Sequence, residues 1–75
     1  MTLAELPLQS RSRIIGLGGL PQRERHRLGA LGLREGASIV KLLHTPLRDP
    51  VECLVGPQLL ALEAWLLERI EVEAA

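Results

Sequence analysis

Val51, Cys53 and Val55 alternate with Glu52 and Leu54, the period of a strand that buries one face and gives it three core residues. Ile70-Glu-Val-Glu73 alternates in the same way and predicts a half-buried final strand. Ala37 to His44, opened by Gly36, is β-branched at its centre and predicts another. Arg13-Ile-Ile-Gly-Leu17 reads as a short strand ended by Gly18-Gly19. Between these strands the period changes. Pro21 stands where a helix can begin, since its missing N–H costs nothing in a first turn. Gln22 to Leu31 continues with helix-compatible residues, Glu24 lies near the positive end of the dipole, and Gly32 is a fitting left-handed stop. Leu28 and Leu31, at i and i+3, form the expected buried edge, while Arg23 and Arg27, at i and i+4, share another face. Gly29 weakens this helix by roughly 1 kcal/mol against alanine, so it depends on tertiary support.

Thr45-Pro-Leu-Arg-Asp-Pro50 is too rich in proline for regular structure and predicts a loop; Gly56-Pro57 predicts a turn. Pro57 to Arg69 is ambiguous. Its apolar positions Leu59, Leu62 and Leu66, continued by Ile70, fall at helical spacing, and propensity alone makes it one long helix.

Composition narrows the functional classes. The chain has 75 residues, which predicts one domain over 1–75 that buries only about 60–65% of its unfolded surface. Cys53 is the only cysteine, so no internal disulfide is available, and a lone thiol suits a reducing compartment. Met1 to Pro7 has neither a basic n-region nor a long apolar run, and Leu59 to Leu67 falls far short of the ~20 residues that span a bilayer. The expectation is a cytoplasmic protein that does not insert into membranes. Apolar content is 47%, yet Tyr and Phe are absent and Trp65 is the only aromatic. Single-stranded nucleic acid is bound by stacking bases on aromatic platforms, and this chain offers almost none.

Net charge is zero but divided. Residues 1–34 hold six arginines against Glu5 and Glu24, a net +4; residues 35–75 hold Lys41, Arg48 and Arg69 against seven acids, a net −4. Arg23, Arg25 and Arg27 without aromatics or net positive charge read better as a solvated helix face than as a nucleic-acid footprint. His26, His44 and Cys53 are the soft-metal candidates, with Asp49 and Glu52 as carboxylate help. None has the spacing of a known cage, although His44 and Cys53 could approach across a hairpin. Cys53 falls on the Val51/Val55 face and reads as a small core hydrophobe. Ser10, Ser12 and Ser38 lack a neighbouring base, and Gly16, Gly18 and Gly19 lack the P-loop ending and the dinucleotide spacing. No cofactor and no catalysis are expected. Trp65 is read as core filler rather than as an interface anchor.

Arg27-Leu-Gly-Ala-Leu-Gly-Leu-Arg-Glu-Gly36, Pro46-Leu-Arg-Asp-Pro50 and Leu60-Ala-Leu62, followed by Ile70-Glu-Val72, together resemble the FeoA family. That family's pattern is an Arg-Leu pair on a short helix, a Leu-Gly-Leu-x-x-Gly turn, a strand and a Pro-Leu-Gly-Asp-Pro loop. A second strand, a Leu-Ala-Leu segment and an Ile-x-Val strand follow. The resemblance runs from about Ser12 to Glu73, and Leu3-Ala-Glu-Leu6 looks like the family's opening turn. Arg48 stands where the family usually has glycine, which predicts a different turn there. Gly29 replaces a larger residue, and Glu63 and Trp65 also depart from the pattern.

The resemblance implies a mainly β fold: a small SH3-like β-barrel with a short helix inserted after the first strand. On it Leu59 to Leu62 is a strand and Ala64 to Glu68 a single helical turn. It also implies a cytosolic accessory of FeoB, a membrane ferrous-iron transporter with a GTPase domain, acting by binding and as a monomer or weak homo-oligomer. Exposure and charge, rather than motif, nominate Arg23, Arg25, Arg27, Leu47 and Arg48 as docking residues. Two rival readings remain: a module similar to the C-terminal domain of DtxR-type metal-responsive repressors acting in trans, and a small nucleic-acid-binding barrel.

Overall fold

The computed structural model describes all 75 residues, Met1–Ala75. Five strands form one antiparallel sheet: β1 (Arg11–Gly16), β2 (Ser38–His44), β3 (Val51–Val55), β4 (Gln58–Leu62) and β5 (Glu71–Ala74), in the order β4-β3-β2-β1-β5. Helix α1 (Gln22–Ala30) lies between β1 and β2, α2 (Ala64–Leu67) lies between β4 and β5, and Leu3–Glu5 is a 3-10 turn. The alternation in β3 is realised: Val51, Cys53 and Val55 are buried and pair with Leu62, Leu60 and Gln58. The β3–β4 hairpin turns through Gly56-Pro57, with Gly56 at φ 56, the left-handed first position of a tight turn.

β1 begins two residues earlier than the sequence pattern predicts, at Arg11, with Ser12 and Ile14 inward. Buried Ser12 satisfies its hydroxyl by donating to the Ile39 carbonyl at 3.3 Å. Register shifts at Ile15 in β1 and Leu42 in β2 mark two bulges.

Only half of the expected edge of α1 is buried. Leu28 is 2% exposed, but Leu31 is 38% exposed. The reason is the helix stop. Gly32, at φ +100, reverses the chain; its N–H bonds the Gly29 carbonyl, and the Leu33 N–H bonds the Leu28 carbonyl. That pair of bonds swings Leu33, fully buried, onto Leu28, and leaves Leu31 outside.

The sheet does not close into a barrel, which corrects the expectation. β4 and β5 are its two ends. The far edge of β5 is occupied by the N-terminal segment: Thr2 bridges Glu71, the Leu3 N–H donates to Ile70, and the Val72 N–H donates to Met1. β5 therefore has no free edge to offer β4. The gap is filled by α2, whose buried Leu66 and Leu67 join the core, and by the Leu3–Glu5 turn packed against it. Pro57 to Arg69 is thus not the one long helix of propensity but the strand and single helical turn that the resemblance implied. Strand, turn and short helix replace it because Gln58–Leu62 pairs along the whole of β3.

Candidate partner-binding surfaces

Two charged surfaces flank the sheet. On α1, Arg23, Arg25 and Arg27 are exposed. Arg27 is not a free charge, since it pairs with Glu24 at 2.6 Å. Glu24, in the first turn, therefore serves the helix dipole and this i,i+3 pair together. Arg25 and His26 border a cleft of about 580 Å³ between α1 and the Leu33–Glu35 segment.

The other surface is the β2–β3 loop. Leu47 at its tip is 88% exposed. Arg48 adopts φ 65 and its N–H donates to the Thr45 carbonyl at 2.8 Å. The backbone here takes the left-handed form that glycine favours, so the arginine occupies a glycine-type turn rather than an alternative one. The Asp49–Pro50 peptide is cis, and Asp49 Oδ1 accepts the Ala64 N–H at 3.0 Å, tying the loop to the start of α2.

The structure does not bring the two surfaces together. The segment that follows α1 joins β2 at Ser38, and the loop leaves it at the opposite end, after His44.

Trp65 is not core filler. With Leu66 and Leu67 turned inward on a four-residue helix, its ring is left outside at 38% exposure. The indole N–H donates to Glu63 at 3.3 Å, and the Arg69 guanidinium lies 5.6 Å from the ring centroid, within cation–π range. His44 pairs with Val51, not with Cys53, so the two soft-ligand candidates do not meet across the hairpin. No three His, Cys, Asp or Glu side chains gather to hold a metal ion.

Opposite Cys53 stands Lys41, the only lysine and the only charged residue in the interior, at 5% exposure. Burial pushes the Cys53 thiol up to about 11, partly offset by the Lys41 charge. Burial likewise lowers the Lys41 ammonium from its ordinary range, partly offset by Cys53. Lys41 was not singled out from the sequence. The available signal was its spacing from Ile39, which places both on one face of β2. Lys41 lines a second cleft, of about 470 Å³, with His44, Arg48, Asp49, Trp65 and Glu68 among its walls.

The chain is an open five-stranded antiparallel module with two charged surfaces and a lysine-lined cleft. The FeoA domain model matches residues 1–74, and the chain belongs to the FeoA family. The FeoA protein of Chlorobium tepidum is 32% identical, with a TM-score of 0.92 over 99% of this chain and 70% of that one. The zinc-complexed FeoA of Stenotrophomonas maltophilia is 28% identical, with a TM-score of 0.79 over 97% of this chain and 89% of its own. It is described as an SH3 domain protein and put forward as a ferrous iron transport activating factor. The manganese regulator SloR shares the fold alone, at 14% identity and a TM-score of 0.68, over 100% of this chain and 34% of that chain. No curated protein matches the chain.

Proposed function

We propose that this chain is a cytosolic accessory of bacterial ferrous iron uptake, a single module over residues 1–75 that docks on a FeoB-type membrane transporter and modulates its GTPase. The observation that carries the reading is the family match across 1–74. The SH3-like description of the Stenotrophomonas relative supports a binding role, and with it an SH3-like reading of this open sheet. No helix is long and apolar enough to cross a membrane, which is compatible with a peripheral position. The module acts by binding, without chemistry of its own, as a monomer or weak homo-oligomer.

The proposed docking residues fall into two sets: Arg23, Arg25 and Arg27 on α1, and Leu47 and Arg48 on the loop. Arg23 and Arg25 carry the helix set, because the Arg27 charge is answered by Glu24. The test is an amide-resolved NMR titration with the cytosolic domain of the cognate transporter. Shifts confined to α1, or confined to the loop and its cleft, identify the face used. Absence of shifts at saturating partner rules out direct docking on that domain.

A further inference from the structure

A lysine whose stem is buried and whose ammonium is partly desolvated normally has a carboxylate beside it, because a partly desolvated charge is stabilised by pairing. Lys41 breaks that rule. The ion pairs of the chain are Met1 with Glu71 and Arg27 with Glu24, and neither involves it. Its Nζ donates to one acceptor, the Ala4 carbonyl at 3.2 Å, whereas an ammonium carries three donors. The acids nearest in the cleft do not answer it. Asp49 spends Oδ1 on the Ala64 amide, and Glu68, the residue that caps the C-terminus of α2, is exposed. What the cleft adds is an indole, Trp65, on one wall and a second cation, Arg48, held at its edge by the loop.

We propose that this cleft receives a carboxylate side chain carried by a segment of the protein partner, with the Lys41 ammonium donating to it and Trp65 as the apolar wall beside it. The charge that lacks a partner within the chain is thereby paired in the complex. Leu47 and Arg48, on the loop that borders the cleft, contact the same segment. The partner's identity rests on the docking reading above; the carboxylate chemistry rests on Lys41 alone.

The experiment has two arms, each comparing the full chain with its Lys41→Met variant. Methionine keeps the length of the stem and removes the charge, and the variant is expected to melt no lower than the parent, which separates binding from folding. In the first arm the probe is an acetylated and amidated Gly-Leu-Glu-Leu-Gly peptide against its Gln counterpart. The expected result is a shift of the single lysine Nζ signal and of the Trp65 indole with the Glu peptide only, lost in Lys41→Met. No difference between the two peptides at millimolar concentration overturns the proposal. In the second arm the cytosolic domain of the transporter is titrated, and Lys41→Met is expected to bind about tenfold or more weakly, the loss of one charge-assisted hydrogen bond. Equal binding by both proteins overturns the cleft while leaving docking intact. No binding by either, with the peptide effect present, overturns docking while leaving the cleft.

Discussion

Cys53 and Lys41 face each other across β2 and β3, and their titrations pull stability in opposite directions. The folded thiol holds its proton up to about 11, against 9.0 for an ordinary one. Unfolding above pH 9 therefore releases a proton, and stability falls as pH rises towards 11, by on the order of 1–3 kcal/mol. Lys41 does the reverse: its lowered folded value means that unfolding takes up a proton below about 10.5, so its burden eases as pH rises. Tyrosine is absent and Lys41 is the only lysine, so few other groups titrate in this window. Urea unfolding from about pH 8 to 11 should show a decline in the parent, a flat or rising profile in Cys53→Ala and a steeper decline in Lys41→Met. A parent profile that rises, or a Cys53→Ala profile as steep as the parent's, would contradict these assignments. Arg48 makes a second prediction at this scale. A left-handed non-glycine residue costs about 1–2 kcal/mol, and glycine returns about 0.4–1 kcal/mol of that in chain entropy. Arg48→Gly should leave the protein about 0.5–1 kcal/mol more stable by chemical denaturation; a loss of stability would show that the arginine side chain supports the loop.

Among the elements, those whose pattern is local were legible in the sequence. β3 buries alternate residues, so Val51 to Val55 announced it; Gly32 announced the end of α1 through the left-handed conformation that glycine adopts without strain. β4 was hidden from propensity and read only through the family resemblance, because Gln58 to Leu62 is an end strand built from leucine and alanine, residues of good helix propensity, and its strand character comes from pairing with β3. The residues proposed for docking on α1 and the loop were legible as exposed charge and, at Leu47, an exposed loop tip, whereas the lysine cleft was not. Nothing local distinguishes Lys41 from a solvated lysine until β3 and the Ala4 carbonyl are placed against it. Trp65 was misread for a related reason, since which side of α2 faces in depends on where Leu66 and Leu67 are received. The α1 leucines offer a direct check on this distinction between pattern and placement. Leu28→Ala should cost about 2–5 kcal/mol, as a buried leucine does, and Leu31→Ala less than about 1 kcal/mol. Equal costs would mean that the helix stop does not position the core as described.

The whole molecule is held by one core, and its most distant connection is the N-terminal segment laid along β5. Leu3 is fully buried beneath it, its N–H bonded to Ile70, while Val72 returns a bond to Met1. The Lys41 ammonium is fastened to the same segment through the Ala4 carbonyl, so core, sheet edge and cleft meet there. A domain of this size commands only about 4–11 kcal/mol in total, at roughly 0.05–0.15 kcal/mol per residue. Leu3→Ala removes about 2–5 kcal/mol of that and should bring the protein close to its unfolding midpoint near body temperature. A softer change, Leu3→Val, should cost about 1 kcal/mol or somewhat more, keep the fold and loosen the segment. Hydrogen exchange then separates two pictures. If the segment closes the sheet edge, the amides of Leu3 and Val72 lose protection in Leu3→Val well before those of β2 and β3, and the Lys41 Nζ signal shifts with them. If protection falls uniformly across all five strands, the segment is an ordinary part of one cooperative core, and the cleft does not open independently of it.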